Sequence, residues 1–222
     1  MDINNISLPG GLRLEYTDKG LTLTDGELTL TADLTHMLPR LKPNNLNGEM
    51  LIKAAKIKNA EGALTLLDAT AGFAEDSLLL AAAGFNVSLY EYDPVIGALL
   101  EDALKRAEDV PELTDIVERM TLYKEDSIRA MREMKEAPDV ILLDPMFPER
   151  KKTGLIKKKF QLLQRLEAPC SEESELLSAA LALKPQKLII KRPLKGPFLD
   201  GRRPSYSLSG SAIRYDCFIN IM

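Results

Sequence analysis

The segment from Asp144 to Pro148 (DPMFP) combines residue types that could do chemistry on a planar nitrogen. The Asp144 carboxylate and the Pro145 carbonyl are hydrogen-bond acceptors, and Phe147 offers an aromatic face for stacking. Proline fixes its own φ and restricts the residue before it, so the two acceptors are preorganised. Such a cluster suits an amino group whose lone pair is delocalised, because that nitrogen must be aligned and hydrogen-bonded as it becomes tetrahedral.

A dense basic run follows this segment, and a second one lies later in the chain. Residues 149–165 and 184–203 hold fourteen of the 29 Lys and Arg residues but two of the 33 acidic ones, although the net charge is −4. A basic face on an acidic body can bind a polyanion, so we favour this role over ordinary solvated lysines. We expect RNA phosphate contacts from Arg150, Lys151, Lys152, Lys157, Lys158, Lys159, Lys191 and Arg192.

The remaining composition narrows the possible chemistry. His36 is the single histidine, and Cys170 and Cys217 are the two cysteines, too few for a usual zinc site or a triad. No apolar stretch is long enough to span a bilayer, and the N-terminus lacks the layout of a secretory signal. We therefore expect a cytoplasmic protein with no metal, whose chemistry depends on carboxylates, backbone groups or a cofactor.

Strand and helix patterns alternate from residue 63 onward. Apolar runs predict strands at 63–67, 86–90, 120–124, 140–143 and 187–191, with one or two closing strands in 211–221. Helical patterns lie at 74–83, 94–107, 127–135, 160–167 and 171–183. This alternation predicts an α/β fold with right-handed crossovers and a mostly parallel sheet, covered by helices on both faces.

The N-terminal region has a different pattern. Residues 11–31 alternate apolar and polar side chains, with Lys19-Gly20 and Asp25-Gly26 at the turns, which predicts a small antiparallel hairpin or meander. A connection rich in Pro and Asn follows, and then a helical pattern at 48–59. We divide the chain into an N-terminal β-hairpin or meander appendage at 1–45 and an α/β domain at 46–222.

Ligands of such sheets bind beyond the carboxyl ends of the strands, so the residues after each strand are candidates for function. After the first strand, Asp68 to Asp76 turns tightly at Gly72 into a helix, whose N-terminal N–H groups suit a carboxylate. The segment is neither a dinucleotide-binding glycine motif nor a phosphate loop. A plain strand–turn–helix connection would explain it equally well.

The later strands end in further polar residues. Glu91 is placed to accept both hydroxyls of a ribose, and Asp126 and Ser127 suit an adenine amino group or, alternatively, the cap of the next helix. The fourth strand leads into Asp144. In order, the four strand ends describe sites for an amino acid, a ribose, an adenine and a planar amino group. An amino acid joined to an adenosine is S-adenosylmethionine, which we predict as the cofactor.

These motifs give the sequence a resemblance to a known family. It resembles the Rossmann-like class I methyltransferases and, more closely, the bacterial 16S rRNA guanine-N2 methyltransferase family RsmJ. The resemblance covers about residues 40–220 and is carried by the DATAG turn closing in Asp76, the Glu91 acid before x-D-P-V, the DPMFP segment with its basic run, Lys191-Arg192-Pro193 and Tyr215-Asp216.

The resemblance implies a sheet of the seven-stranded type and a cofactor site around it. The residues it implies at that site are Glu75, Asp76, Glu91, Tyr92, Asp126, Ser127 and Asp144. It further implies methylation of the exocyclic N2 of a guanosine in 16S rRNA, with the free rRNA or the small ribosomal subunit as partner. Asp144, Pro145 and Phe147 would then contact the base.

Two alternatives remain open at this point. The same acceptor cluster serves other planar amino groups, so adenine N6 in DNA or RNA, or a protein glutamine, is a possible target. A non-catalytic module that binds S-adenosylmethionine or RNA would keep the same fold.

Overall fold

The structure, a computed structural model, describes residues 8–60, 62–145, 162 and 172–221, which form two β-sheets. The smaller sheet consists of β1 (Arg13–Thr17), β2 (Gly20–Thr24) and β3 (Thr29–Thr31). The larger sheet consists of β4 (Thr65–Asp68), β5 (Asn86–Tyr90), β6 (Met120–Tyr123), β7 (Val140–Leu143), β8 (Lys187–Pro193), β9 (Tyr206–Ser209) and β10 (Ile213–Ile219).

The helices lie before and between these strands. They are α1 (Leu38–Leu41), α2 (Pro43–Leu46), α3 (Met50–Ala55), α4 (Glu75–Ala82), α5 (Pro94–Glu108), α6 (Thr114–Val117), α7 (Ser127–Glu133) and α8 (Glu173–Ala182). Short 3₁₀ turns occupy Thr35–Met37 and Leu199–Gly201. The start of α5 shows why the sequence folds this way, because Asp93 caps it by accepting from the N–H groups of Val95 (2.8 Å) and Ile96 (3.0 Å).

The strand order of the larger sheet places a crevice at its centre. The order is β6-β5-β4-β7-β8-β10-β9, in which β6 through β8 are parallel and β10 is antiparallel to both neighbours. From β4 the chain continues to β5 and β6 on one side and then returns to β7 on the other. The carboxyl ends of β4, β5 and β7 therefore meet at the point where the strand order reverses.

Alternating side chains of the central strands supply a core on each face of this sheet. Leu66 of β4 and Leu142 of β7 pack with α4 and α5, whereas Leu67 and Ile141 pack with α7 and α8. Each of these side chains is at most 1% exposed. Burial on both faces explains why the sequence pattern of these strands is continuously apolar rather than alternating.

The smaller sheet packs on the outer side of α5 and joins the same core. Leu21 and Leu23 of β2 are buried in the cluster that includes α4 and α5. Asp102 of α5 accepts from the backbone N–H of Leu21 (3.0 Å) and from Arg106 Nε (2.8 Å), and Arg106 Nη2 donates to the Ala32 carbonyl. The boundary that we drew between residues 45 and 46 stays a prediction.

The predicted fold class is confirmed, including the mixed seven-stranded sheet and the small N-terminal antiparallel sheet. The strands predicted at 86–90 and 140–143 have those bounds. The closing region 211–221 contains one strand, within the one or two that we predicted, and β9, which precedes it, was not predicted. The helix expected at 48–59 is shorter, and the buried Lys187 ammonium binds the Ala54 (2.8 Å) and Lys56 (2.6 Å) carbonyls at its end. The helix predicted at 160–167 lies outside the described residues apart from Leu162.

The contact between β2 and α5 leads to a prediction about stability. Asp102→Ala leaves the N–H of the buried Leu21 without its acceptor, so we expect the free energy of unfolding to fall by about 1–3 kcal/mol in urea denaturation. The matched control is Glu101→Ala on the same helix, where an exposed ion pair to Lys124 (2.7 Å) is lost. That change should cost less than about 1 kcal/mol. Equal losses for the two variants would contradict the proposed anchoring role of Asp102.

Candidate active site

The turn from β4 into α4 is built around the buried carboxyl group of Asp68. Its Oδ1 accepts from the Thr70 backbone N–H (3.0 Å), and its Oδ2 accepts from the Ser77 hydroxyl (2.6 Å). Burial raises the pKa of Asp68 to about 6, although both hydrogen bonds oppose this shift. At 3% exposure, Asp68 shapes the turn from inside rather than presenting a surface to a ligand.

The same turn contains two residues in the left-handed region of φ and ψ. Gly72 has φ +53°, and Ala74, the N-cap of α4, has φ +56°. A non-glycine residue in this region costs about 1 kcal/mol, so the surrounding structure must hold Ala74 there. A Cβ at Gly72 would meet no atom within 4 Å, so the backbone at Gly72 faces open space into which a ligand can pack.

Glu91, at the end of β5, is hydrogen-bonded to this turn. Its Oε2 accepts from the Gly72 N–H (2.9 Å), and its Oε1 accepts from the Asp93 N–H (2.8 Å). Burial raises the pKa of Glu91 to about 7, against the opposing effect of these two bonds. A carboxylate has about four lone-pair directions, so capacity for two ribose hydroxyls remains. Glu91 thus joins the ends of β4 and β5 beside the open face of Gly72.

Beyond β7, one ammonium group lies between two carboxylates. Lys191 Nζ is 2.7 Å from Asp76 Oδ2 and 2.9 Å from Asp144 Oδ2, and the Asp144 backbone N–H donates to Thr70 Oγ1 (2.7 Å). Burial alone would lower the pKa of Lys191, but Asp76 and Asp144 outweigh it and raise that pKa. The pKa of Asp144 is raised by burial, and Lys191 acts against this rise.

The register of the sheet explains why these groups meet. Leu143 of β7 pairs with Ile190 of β8, so the next residues, Asp144 and Lys191, come side by side where β7 ends. Lys191 in turn pairs with Tyr215 of β10. Tyr215 is 4% exposed, and burial together with the Asp76 charge raises its pKa. Strand pairing therefore builds the cluster from residues that are far apart in the sequence.

At the end of β6, the helix-capping alternative is the one found. Asp126 Oδ1 accepts from the N–H groups of Ile128 (2.7 Å) and Arg129 (3.3 Å) at the start of α7, and Ser127 is buried at 8% exposure. Tyr90 and Tyr123 stack beside this position with their ring centroids 5.0 Å apart. A direct contact of Asp126 or Ser127 with adenine stays a prediction.

The other two residues implied by the resemblance lie at the rim of the site. Tyr92 is 77% exposed, next to Glu91. Glu75, in the first turn of α4, lies 3.1 Å from His36 Nε2 through its Oε1. The single histidine therefore connects the segment before α1 to the turn that carries Gly72.

The predicted RNA contacts of two basic residues, Lys191 and Arg192, need a correction. Arg192 is 1% exposed, its Nε donates to the Pro197 carbonyl (3.0 Å), and Lys191 is paired to Asp76 and Asp144 as described. These contacts turn both cationic groups inward, so neither is placed to hold RNA phosphate as we expected. Phe147 and the basic residues between Arg150 and Lys159 lie outside the described residues.

Sequence reasoning also missed two residues that complete the cluster. Thr70 holds the Asp144 backbone, and Ser77 holds Asp68. Thr70 lies inside the DATAG turn, where its type and position could have indicated a contact across to the next strand. Ser77 sits within a helical pattern and carries no comparable signal.

Comparison with known proteins identifies the family of this chain. The family described as "Putative SAM-dependent methyltransferase" matches residues 10–220. The chain belongs to this family of SAM-dependent methyltransferases. Its sequence is also 47% identical, over 174 residues, to the ribosomal RNA small subunit methyltransferase J of Pseudomonas fluorescens SBW25. That alignment covers 78% of this chain, which spans 66% of the relative's length.

One further relative and two solved structures are also similar to this chain. The protein of the same name from Pseudomonas aeruginosa LESB58 is 42% identical over 78% of this chain and 66% of its own length. The crystal structure of a SAM-dependent methyltransferase from Neisseria gonorrhoeae superposes with a TM-score of 0.76 and 27% identity, covering 97% of this chain and 85% of that one. The rRNA methyltransferase aviRa of Streptomyces viridochromogenes shares the fold (TM-score 0.52, 16% identity, 79% and 84% coverage).

S-adenosylmethionine is the cofactor of this family, and the residues present fit it. The fit rests on the open backbone face at Gly72 and on the Glu91 carboxylate beside it, which has acceptor capacity left for a ribose. Among the described residues, no group of three or more His, Cys, Asp or Glu side chains is arranged to hold a metal ion. No helix in the described part of the chain is long and apolar enough to cross a membrane.

The raised pKa of Glu91 makes cofactor affinity depend on pH. An ionised carboxylate accepts hydroxyl hydrogen bonds better than a protonated one, and Glu91 ionises at a pKa of about 7. We expect the affinity for S-adenosylhomocysteine to rise up to about tenfold between pH ~6 and pH ~8, measured by calorimetric titration. Glu91→Gln should bind more weakly and lose most of this dependence, whereas the exposed control Glu118→Gln should keep it. The same pH dependence in Glu91→Gln would exclude Glu91 as the titrating group.

Proposed function

We propose that this chain transfers the methyl group of S-adenosylmethionine to the exocyclic N2 amino group of a guanosine in small-subunit ribosomal RNA, in the cytoplasm. The observation that carries the proposal is the Asp144-Pro145 strand end beside the Gly72–Glu91 site, in a chain 47% identical to a protein named for small-subunit rRNA methylation. The choice of guanine N2 depends on the resemblance in the DPMFP segment.

In this proposal, Asp144 receives the amino group. Its backbone is fixed by Thr70 and its Oδ2 by Lys191, yet 40% of its side-chain surface is exposed. The remaining acceptor positions are therefore preorganised and accessible. A carboxylate that accepts from the amino group as it becomes tetrahedral stabilises the transition state more than the ground state. The Pro145 carbonyl is the second acceptor in this proposal.

The chemistry requires little else from the protein. S-adenosylmethionine, when bound, supplies an electrophilic methyl group and a good leaving group. Held at Gly72 and Glu91, the cofactor would supply the methyl group for the new N–C bond and would keep the electrons of the broken S–C bond on sulfur, and the proton released by the methylated nitrogen would go to water. Asp144 and Pro145 need to orient the nitrogen, so no strong general base is required.

The base must leave its stack to reach Asp144. A guanine inside a paired helix cannot be approached at N2 along the required line, so the target is unpaired or flipped out. Stacking on Phe147 and phosphate contacts from residues 150–159 would stabilise the extruded base. Both contacts stay predictions because these residues lie outside the described part of the chain.

Methyl transfer tests the proposal directly. With labelled S-adenosylmethionine and unmodified small-subunit rRNA, free or in the subunit, label should appear as N2-methylguanosine in nucleoside mass spectrometry. Asp144→Ala should lower kcat/KM by about 10²–10³-fold because a transition-state acceptor is lost. The control Asp115→Ala, exposed on α6, should keep full activity. Label in adenine, DNA or protein would move the target to another planar amino group, and no transfer to any of them would indicate a binding module.

The Lys191 contact gives a second, finer prediction. Lys191→Met should lower kcat by about 10- to 100-fold with a smaller effect on KM, because Asp144 loses a charged hydrogen bond. Lys191 also acts against the raised pKa of Asp144, so its removal should shift the acidic limb of the rate–pH profile to higher pH. Lys191→Arg keeps the charge and should restore part of the rate. An unshifted pH profile in Lys191→Met would show that the lysine has a structural role alone.

A further inference from the structure

The segment that joins β8 to β9 is held in shape by two buried arginines. Arg214 of β10 donates through Nη1 to the carbonyls of Pro193 (2.9 Å), Leu194 (3.0 Å) and Gly196 (2.9 Å), and through Nη2 to Pro197 (3.4 Å). The Arg192 Nε also donates to the Pro197 carbonyl. One guanidinium thus binds four backbone carbonyls between Pro193 and Pro197, at the start of the segment that we call the braced loop (residues 194–205).

The charge of Arg214 is itself neutralised within the fold. Its Nε lies 2.9 Å from Asp216 Oδ1 and its Nη2 lies 3.0 Å from Asp216 Oδ2, a bidentate pair in which Asp216 is 2% exposed. The ring of Phe198 packs against the guanidinium, with its centroid 5.1 Å from Arg214 Cζ. A buried pair with this many hydrogen bonds fixes geometry, because removing one partner would leave an uncompensated charge.

The brace leaves the cationic side chains of the loop facing solvent. Lys195, Arg202 and Arg203 are exposed, and none of them makes an ion pair or side-chain hydrogen bond with another described residue. The one acid of the loop, Asp200, accepts instead from the Ser174 hydroxyl of α8 (3.2 Å). Leu199, at 2% exposure, anchors the same turn. The loop therefore carries three exposed cations against one exposed carboxylate, that of Asp200.

This surface lies at the same edge of the sheet as Asp144. The loop begins directly after Pro193, two residues beyond the Lys191 that contacts Asp144, and Leu194 N–H donates to the Ala212 carbonyl (2.9 Å). Strand β7 ends at Leu143, opposite Ile190, and the parallel strand β8 continues in the same direction to Pro193. A nucleic acid whose base reaches Asp144 would bring its neighbouring phosphates to this side of the sheet.

We propose that the braced loop is a preformed contact surface for the RNA backbone, in which Lys195, Arg202 and Arg203 bind phosphates that flank the target nucleotide. This inference rests on the proposed function and assigns the RNA contact to residues other than Lys191 and Arg192. Phosphate contacts fix the register of a nucleic acid without reading its sequence, so they depend on a rigid frame. The brace of Arg214 and Arg192 supplies that frame for the backbone around Lys195, and the buried Leu199 anchors the turn that precedes Arg202 and Arg203.

Salt-dependent RNA binding tests the loop. The variant Lys195→Gln/Arg202→Gln/Arg203→Gln is compared with the control Lys58→Gln/Lys105→Gln/Lys135→Gln, which removes the same charge from exposed positions before β4, at the end of α5 and after α7. The full-length proteins are titrated with a labelled fragment of small-subunit rRNA at several potassium chloride concentrations. Each lost phosphate contact should reduce the slope of log K against log salt by about 0.7–0.9.

We expect the loop variant to lose about 2 in slope and about tenfold or more in affinity, while its affinity for S-adenosylhomocysteine stays at the wild-type value. The control should keep the wild-type slope to within about 0.5. A loop variant with the wild-type slope, or a control with an equal loss, would overturn the proposal. If the wild type methylates rRNA in either of these cases, the proposed function survives without the loop. If the wild type transfers no methyl group but the loop variant shows the expected loss, the loop proposal survives without the function.

Discussion

The position of the Lys191 ammonium between Asp76 and Asp144 is the interaction on which the rest of this site depends. Three carboxyl groups, Asp68, Asp76 and Asp144, converge where β4 and β7 end, and burial together with the charge of Asp76 raises the pKa of Asp68 and of Asp144. Lys191 supplies the compensating positive charge from the neighbouring strand, with both contacts at or below 2.9 Å. Without it, an ionised Asp144 would be disfavoured, and the acceptor for an amino group would be lost.

Two regions of opposite charge lie near that interaction, and each suits a different kind of ligand. The crevice itself is acidic, with Glu91, Asp76 and Asp144 at its edge, which favours a cofactor that carries a positive sulfonium. The braced loop beside it is basic and outward-facing, which favours the phosphates of a nucleic acid. A chain with a net charge of −4 can therefore present a local surface for RNA, because the exposed cations of the braced loop outnumber its one acid, Asp200.

Much of the fold and part of the site follow from the sequence, for reasons that are specific to certain residues. Strand β7 is continuously apolar, β5 has apolar residues at three of its five positions, and polar turns bound both, so their bounds were predicted correctly. Glu91 and Asp144 were placed at strand ends because the alternation of strands and helices fixes where parallel strands terminate. The pair Asp93-Pro94 is a helix-start signal that the sequence itself carries, because Asp is a common N-cap and Pro a common first helical residue.

What could not be predicted depends on contacts between distant segments. Lys191 and Arg192 look alike in a basic run, and whether they point outward or inward is decided by their pairing with β7 and β10 and by the backbone of the braced loop. The hydrogen bond from Asp144 to Thr70 joins residues 74 positions apart. The short strand β9 has a weak pattern of its own and forms because β10 offers it a partner.

A crystal structure of the protein with bound S-adenosylhomocysteine tests the central claim most directly. The account predicts that the ribose hydroxyls lie within about 3 Å of the Glu91 carboxylate, with the sulfur directed toward Asp144, and that Lys191 Nζ stays within about 3 Å of Asp144 Oδ2. A ligand bound away from the ends of β4 and β5, or a Lys191 side chain withdrawn from Asp144 in the complex, would contradict it.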